Sequence, residues 1–285
     1  MKLRLECVVC YLRQALDAAK MATDDKNLHE EVLRKSLAIA SDFNLDSCGF
    51  ILQGKIKKMI EKILPKSDPY SRVKKKFNSI ALGMENRLKD IIKNSEDPFE
   101  TSLRISLAGN IIDFGPGIKL NETVLNEAIK KSFSQKLDRK RVELLKKNID
   151  EAKKILFIGD NAGEIVMDKI FLEYLPREKI TYVVRGGPAI NDSTMEDAEA
   201  VGMVDYVNVV TTGLDMPAAI LPYCSKEFLD EYNMSDLVIA KGQGNYEVLC
   251  DEEKNIFFLL KIKCPVVADT FKDKYEVGDI VLYKK

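Results

Sequence analysis

The sequence has no tryptophan, a single histidine and no long apolar segment. The lone histidine, His29, rules out a histidine-rich zinc site, and a catalytic triad with a histidine base would have to use His29 itself. No run approaches the roughly 18 apolar residues of a membrane-spanning helix, so we expect no membrane partner. With 44 basic and 45 acidic residues, the net charge is -1. This balance argues against a dedicated nucleic-acid-binding surface.

The cysteines indicate a reducing compartment. Six of them are spread over 285 residues, and charges interrupt the apolar residues at the N-terminus, unlike in a signal peptide. We therefore expect reduced thiols and a cytoplasmic protein. Apolar residues make up 46% of the chain and charged residues 31%, which is typical of a globular protein with a proper core. No feature of the sequence indicates an oligomeric state.

The first half of the chain has the apolar spacing of helices almost throughout. Helices are predicted over residues 7–21 and 28–42, after 44–46 as far as 65, from 69, from 98, and over 121–133 and 138–148. Strand signals are nearly absent. The pattern therefore predicts an all-helical domain over residues 1–150.

The second half alternates short apolar runs with helical segments. Strands are predicted at 155–158, 180–184, 204–210, 237–240, 256–260 and 266–268, with an edge strand over 277–283. Helical segments lie around 164–174, 193–200, 225–232 and 246–253. This alternation predicts a Rossmann-like three-layer α/β/α domain with a mainly parallel sheet over residues 151–285.

A buried strand followed by two polar residues stands at the centre of this half. The apolar run Ile155–Ile158 ends at Gly159, and Asp160 and Asn161 follow it. Ligands bind at the carboxyl ends of parallel strands, and these two side chains offer hard oxygen ligands of the kind that Mg²⁺ or Mn²⁺ takes. The N-terminus of the following helix suits a phosphate. The alternative is an ordinary turn in which one of the two residues caps the helix.

Two later strands are also followed by polar loops. RGGPAINDST at 185–194 follows one strand, and KGQGNYE at 241–247 follows another. Because parallel strands end at the same edge of a sheet, we expect the three loops to meet. They offer Asp192 for a cation, Arg185 and Lys241 for an anion, and glycines that let backbone N–H groups approach a phosphate: Gly186, Gly187, Gly242 and Gly244. This combination favours phosphoryl transfer.

Each loop also has an ordinary structural interpretation. The Arg-Gly-Gly-Pro segment is a possible turn, residues 192–194 are possible helix caps, and residues 241–244 are too short and wrongly spaced for a P-loop. No Gly-x-Gly-x-x-Gly fingerprint supports a dinucleotide site. We favour a metal-phosphate site, because turns and caps alone explain poorly why all three loops are polar at equivalent strand ends.

Four segments together resemble one family. GDNAGEIVMDK, RGGPAINDST, KGQGNYE and AGNIIDFG are similar to motifs of the DUF89 family, the damage-control metal-dependent phosphatases. Cys7 and Cys10 resemble the Cys-x-x-Cys of its prokaryotic subfamily I. The resemblance spans nearly the whole chain and implies a phosphatase that uses Mn²⁺, Ni²⁺, Co²⁺ or Mg²⁺ on phosphomonoesters of small metabolites. For subfamily I it implies damaged purine nucleotides or their biosynthetic intermediates.

The resemblance also implies roles for individual residues. Asp160, Asn161 and Asp192 would bind the divalent ion, and Lys241 would contact the phosphate. The predicted catalytic set is Asp160, Asp192 and Lys241. The predicted substrate-binding residues are Glu164, Arg185, Asn191, Gly244, Asn245, Asn110 and Asp113.

Two pairs of residues keep alternative interpretations. Asn110 and Asp113 either reach the site and close it over the substrate, or they cap a helix. Cys7 and Cys10 share one face of the first helix, where they form either a redox pair or part of the core. A zinc site there would need two further ligands.

The sequence therefore favours metal-dependent hydrolysis of phosphomonoesters. Lys241, with Arg185, would stabilise the charge that develops on the phosphoryl group, and the attacking group is either water or an aspartate. Asp160→Ala is predicted to abolish metal binding and turnover, and Lys241→Ala to spare metal binding. An S-adenosylmethionine-dependent methyltransferase and a non-enzymatic metabolite-binding module are the alternatives, since α/β sheets host all three.

Overall fold

The structure, a computed structural model, describes residues 1–64, 68–110, 121–272 and 274–285. By their internal contacts, the described residues form two compact units, Met1–Arg72 and the part from Val73 onward. Among the described residues, no helix combines the length and the apolar character needed to cross a bilayer.

In the part of the first unit that the structure describes, the helices are α1 (Leu5–Ala22), α2 (Lys26–Ser41) and α3 (Gly49–Ile63). Asp25 starts α2, because its carboxylate accepts a hydrogen bond from Asn27 N at 2.8 Å and so satisfies an N–H group that has no partner within the helix. Apolar residues at helical spacing form the core of this unit; they include Tyr11, Ala15, Ala19, Val32, Leu52 and Ile56. The helices predicted here are confirmed, with ends that differ by a few residues.

The second unit begins with four helices and continues as a sheet. The helices are α4 (Ser71–Lys93), α5 (Pro98–Gly109), α6 (Glu122–Ser134) and α7 (Arg139–Glu151). Pro98 at the first turn and Asp97 as N-cap start α5, as the sequence predicts. Most of α5 is buried, and it packs against α6 and against the helix that follows the first strand.

The described residues form a sheet of six strands: β1 (Ile155–Ile158), β2 (Ile180–Val184), β3 (Asn208–Thr211), β4 (Leu237–Lys241), β5 (Ile256–Lys261) and β6 (Ile280–Lys284). Their order is β3-β2-β1-β4-β5-β6, with only β6 antiparallel to its neighbour. The remaining helices are α8 (Glu164–Leu172), α9 (Met195–Ala200), α10 (Lys226–Met234), α11 (Gly242–Leu249) and α12 (Pro265–Ala268). The predicted Rossmann-like, mainly parallel α/β fold after a helical N-terminal part is confirmed.

One predicted strand is wrong. Residues 266–268 form the short helix α12, and the strand next to β5 is the antiparallel edge strand β6. Three apolar residues are too few to distinguish a strand from a helical turn, and Pro265 directly before them fits the first position of a helix. The strand predicted at 204–210 also begins later, at Asn208.

The topology puts the three polar loops next to each other. From β1 the chain moves outward to β2 and β3, and then returns to the other side of β1 as β4. Such a change of direction opens a crevice at the carboxyl ends of the strands, where α/β proteins bind ligands. The predicted domain boundary at residue 150 remains a prediction; there the structure changes from helices alone to strands alternating with helices.

Candidate active site

The loops after β1 and β2 run side by side. Ser193 N donates to Asp160 O at 2.8 Å, and Ala162 N donates to Asn191 O at 2.9 Å. Asn161 and Asp192 form an antiparallel bridge between these two hydrogen bonds. The pairing brings the three predicted metal ligands, Asp160, Asn161 and Asp192, to one point of the sheet edge.

The carboxylate of Asp160 lies at the centre of this cluster. Its Oδ2 accepts a hydrogen bond from Asn110 Nδ2 and another from Asn161 Nδ2, each at 2.9 Å. Its Oδ1 lies 3.4 Å from Nη2 of Arg185. Asp160 is therefore held from three directions, and the orientation of its oxygens is fixed by its neighbours.

Arg185 joins the carboxylates of the two loops. Its Nε donates to Asp192 Oδ2 at 2.6 Å, its Nη2 faces Asp160, and its Nη1 lies 3.4 Å from Asn245 Oδ1. Its side chain is fully buried. The guanidinium group therefore offsets part of the negative charge of the two aspartates.

Lys241 is buried at the end of β4, where several acceptors surround its ammonium group. Its Nζ contacts Ser106 Oγ at 2.8 Å and Glu164 Oε1 at 2.7 Å, and it also donates to Asp168 Oδ1 and to Ser106 O. An ammonium group has three protons, so these acceptors saturate it. The observed task of Lys241 is to neutralise Glu164 and Asp168, and its contact with a phosphate remains a prediction.

Three of the other predicted substrate-binding residues, Asn110, Asn191 and Asn245, make hydrogen bonds within the site. Asn110 and Asn245 hold parts of the site in place: Asn110 contacts Asp160, and Asn245 Nδ2 donates to Gly159 O at 3.2 Å and to Lys241 O at 2.7 Å. Asn110 is also the C-cap residue of α5, and closure of the site over a substrate by Asn110 remains a prediction. Asn191 donates through Nδ2 to Asn161 Oδ1. Gly244 lies in the first turn of α11, and Asp113 lies outside the described residues.

Sequence reasoning missed a buried network behind Lys241. Asp168 accepts hydrogen bonds from Ser106 Oγ at 2.6 Å and from Tyr182 OH at 2.9 Å, in addition to its contact with Lys241. A signal for Asp168 existed in the sequence. It stands four residues after Glu164 in a helix that is otherwise nearly all apolar, and carboxylates on such a helix need a buried partner.

Negative charge exceeds positive charge inside this cluster. Within the described residues it contains the buried carboxylates of Asp160, Glu164, Asp168 and Asp192 against the cations of Arg185 and Lys241. Burial, together with the carboxylates of Asp192 and Glu164, raises the pKa of Asp160 to about 8. Burial also raises the pKa of Asp192, although Arg185 opposes the shift. Burial is the largest cause of both shifts, so both carboxylates lie in an environment that disfavours their charged form.

The basic partner shows the complementary effect. Burial alone would lower the pKa of Lys241, but the carboxylates of Asp168 and Glu164 outweigh burial and raise it. Burial raises the pKa of Asp168 to about 6, against the opposing charge of Lys241. Lys241 is therefore an ammonium ion at neutral pH, and its charge is already shared by two carboxylates.

The donor set fits a divalent cation. An additional positive charge would offset the excess of carboxylates, and carboxylate and amide oxygens are the ligands that hard cations prefer. No group of three or more His, Cys, Asp or Glu side chains in the described residues has an arrangement that suits a metal ion. The predicted set does not require one, since its third member is Asn161.

Gly242 is required because the backbone passes directly against Asp160. It has a positive φ of 79°, and a Cβ atom added to it would lie 2.0 Å from Asp160 Oδ2. A side chain at this position would therefore be strained and would displace the carboxylate.

Gly242→Ala is expected to weaken metal binding and activity and to destabilise the protein by about 1–3 kcal/mol. The matched control is Gly83→Ala in α4, where an added Cβ meets no atom within 4 Å and helix propensity favours alanine. Urea unfolding and Mn²⁺ titration of both variants measure the difference. Equal behaviour of the two variants would contradict the close approach of Gly242 to Asp160.

Comparison with known proteins identifies the family. The sequence model of the damage-control phosphatase ARMT1-like domain matches residues 3–277. The protein belongs to this family. The match covers both the helical N-terminal part and the sheet, so the family assignment rests on the whole architecture and not on the loops alone.

Relatives of this family member span nearly the same length. An uncharacterised protein of Methanocaldococcus jannaschii is 38% identical and covers 100% of this chain and 96% of its own length. A protein of Archaeoglobus fulgidus named damage-control phosphatase is 34% identical, covering 99% of this chain and 98% of its own. The crystal structure of a DUF89 family protein from Pyrococcus horikoshii superimposes with a TM-score of 0.85 at 30% identity, over 100% of this chain and 99% of the other.

The Cys-x-x-Cys of this family member lies in the first unit. Cys7 is partly buried against the core of that unit, whereas Cys10 is exposed and its Sγ accepts a hydrogen bond from Gln14 Nε2 at 3.4 Å. Cys10 is therefore not a core residue, and the redox role of the pair remains a prediction.

Proposed function

We propose that the protein is a divalent-metal-dependent phosphatase that hydrolyses phosphomonoesters of small metabolites. Family membership supports the phosphatase activity, and two relatives, from Pyrococcus horikoshii and Archaeoglobus fulgidus, are named damage-control phosphatases. The observation that carries the metal requirement is the buried cluster at the carboxyl ends of β1, β2 and β4, in which carboxylates outnumber cationic groups.

Asp160, Asn161 and Asp192 are proposed to hold the divalent ion. When bound, it would supply Lewis-acid polarisation of a phosphate oxygen. The protein's own contribution is to hold these three side chains in position before substrate arrives. Asn110 and Arg185 orient Asp160, and Asn191 orients Asn161. Such preorganisation lowers the reorganisation needed during reaction.

Arg185 and Lys241 are proposed to set the electrostatics of the site. Arg185 is held by contacts of its three guanidinium nitrogens with Asp192, Asp160 and Asn245. Its positive charge therefore lies beside the proposed metal ligands. Lys241 supplies a positive charge to the buried carboxylates of Glu164 and Asp168. Five further residues are still proposed to bind the substrate, because they line or support the same loops: Asn110, Glu164, Asn191, Gly244 and Asn245.

The substrate class follows from the family resemblance. We propose damaged purine nucleotides or their biosynthetic intermediates as the natural substrates, in the cytoplasm, with Mn²⁺, Ni²⁺, Co²⁺ or Mg²⁺ as the ion. The nearly neutral net charge of -1 is consistent with small phosphorylated metabolites as partners, and no nucleic-acid partner is proposed.

The test is release of inorganic phosphate from a panel of nucleotides and sugar phosphates. Protein stripped of metal with a chelator is assayed alone and after separate addition of Mn²⁺, Ni²⁺, Co²⁺ and Mg²⁺. We expect no phosphate release without metal and turnover with at least one ion. The substrate with the highest rate shows whether the enzyme prefers nucleotides or sugar phosphates. Absence of release with every ion would contradict the proposal. Binding of S-adenosylmethionine or of a metabolite without turnover would favour the two alternatives.

A further inference from the structure

Helix α4 contacts both loops that carry the proposed metal ligands. Asn78 and Lys74 lie on its buried face, each only 4% exposed. One loop, after β1, holds Asp160 and Asn161, and the other, after β2, holds Asp192. Asn78 and Lys74 are polar, so apolar packing of the helix does not explain why they are buried.

Asn78 uses both ends of its amide group. Its Oδ1 accepts a hydrogen bond from Gly163 N at 2.6 Å, and its Nδ2 donates to Asp197 Oδ1 at 2.8 Å. Gly163 directly precedes α8 in the first loop, and Asp197 lies in the first turn of α9, after the second loop. A single side chain therefore links the first loop to the start of the helix that follows the second loop.

Asp197 transmits this contact to the second loop. Its Oδ2 accepts hydrogen bonds from Thr194 N at 2.9 Å and from Thr194 Oγ1 at 2.8 Å, which closes the capping box of α9 two residues after Asp192. Lys74 Nζ lies 3.4 Å from the same oxygen. Both carboxylate oxygens of Asp197 are thus bonded: Oδ1 to Asn78 of α4, and Oδ2 to Thr194 of the loop, with Lys74 of α4 also facing Oδ2.

The first loop is fixed by packing as well as by hydrogen bonding. Gly163 has a φ of 74°, and a Cβ atom added to it would lie 2.1 Å from the ring of Phe77. Phe77 and Asn78 are consecutive residues of α4, so the helix contacts this glycine through a ring and through an amide.

We propose that Asn78 and Asp197 are positioning residues that fix the spacing between the two metal-ligand loops. The inference rests on the proposed function for its consequence, because the loops matter through the ion they would hold. Groups that hydrogen-bond directly to metal ligands typically change metal affinity by about 10- to 100-fold when they are replaced, and Asn78 and Asp197, which act through the backbone of the loops, are expected to reach the lower end of that range.

The test exchanges the two functional groups. In Asn78→Asp, the introduced carboxylate faces the carboxylate of Asp197 across a hydrogen-bond distance, so the two groups repel. In Asp197→Asn, the introduced amide must turn an N–H group toward another donor, either Asn78 Nδ2 or Thr194 N. In the double variant, the amide at position 197 donates to the carboxylate at position 78 and still accepts from Thr194. The contact is restored with its polarity reversed.

Two readouts are measured, with Ser79→Ala on the exposed face of α4 as the matched control. Hydrogen exchange of metal-free protein, followed in peptides over 160–166 and 191–198, reports loop positioning. Calorimetric titration with Mn²⁺ reports its consequence. We expect each single variant to exchange faster in both loops and to bind Mn²⁺ roughly 10-fold more weakly, whereas the double variant recovers most of both losses and the control matches the native protein.

Two results would overturn the inference. Single variants whose two loops exchange as slowly as in the native protein would show that the contact does not position them. A double variant whose losses equal the sum of the single losses would show that the two residues are not coupled. Native protein that fails to bind Mn²⁺ would instead contradict the proposed function, and the exchange data would still decide the role of Asn78 and Asp197.

Discussion

Replacing Asp160 with alanine is expected to abolish both divalent-metal binding and phosphate release. The change removes the carboxylate on which Asn110, Asn161 and Arg185 converge. Because Lewis-acid stabilisation is worth several kcal/mol, we expect turnover to fall by at least roughly a thousandfold. Mn²⁺ titration and initial rates of phosphate release measure the two effects separately.

This loss should occur without loss of the fold. Asp160→Asn keeps the shape of the side chain and removes one of the like-charged buried groups. This offsets part of the cost of turning its amide N–H toward Arg185 or toward Asn110 and Asn161, so metal-free protein should still unfold in one cooperative transition. Asp205→Asn, at an exposed position, is the matched control and should change neither metal binding nor activity. Native rates in Asp160→Ala would exclude Asp160 from the active site.

Replacing Lys241 with alanine is expected to destabilise the protein strongly. The side chain is fully buried between Glu164 and Asp168, and its removal leaves two carboxylates without their cation. Breaking a buried ion pair by removing one partner costs about 3–5 kcal/mol. Urea unfolding measures the loss, and activity should fall with it, since both carboxylates belong to helix α8 directly behind Asp160.

Two further variants separate this charge effect from general damage. Lys226→Ala removes a lysine that pairs with Asp230 on the surface, and it should leave the unfolding midpoint unchanged. Adding Asp168→Asn to Lys241→Ala removes one unpaired carboxylate, so it should recover part of the lost stability. Protein that remains folded after Lys241→Ala should still bind Mn²⁺, because Lys241 contacts none of the proposed ligands. Native stability of Lys241→Ala would contradict the observed pairing.

The central strands could be predicted from the sequence because burial on both faces leaves a continuous apolar run. Ile155–Ile158 and Ile180–Val184 have the predicted ends for this reason. The three polar loops could be predicted to lie together because parallel strands end at the same edge of a sheet. The prediction of a strand failed at Pro265–Ala268, because three apolar residues are too few to show a helical or strand periodicity. Pro265 fits the first turn of the helix that forms there.

The residues that support the site differ in whether the sequence reveals them. Asp168 was detectable, because a second carboxylate on an apolar helix requires a buried partner. Asn78 was not detectable: it lies in a long polar-faced helix, 85 residues before Gly163 and 119 residues before Asp197. Hydrogen bonds between residues so far apart in sequence depend on how helices pack on the sheet, and no local pattern encodes that packing.

The most direct test of the central claim is the position of a bound ion. Crystals grown with Mn²⁺ and measured at its absorption edge should show one strong anomalous peak beside β1, within about 2.5 Å of oxygens from Asp160, Asn161 and Asp192. A peak at another group of side chains, or no peak at this edge of the sheet at saturating Mn²⁺, would contradict a metal-dependent phosphatase built on these three residues.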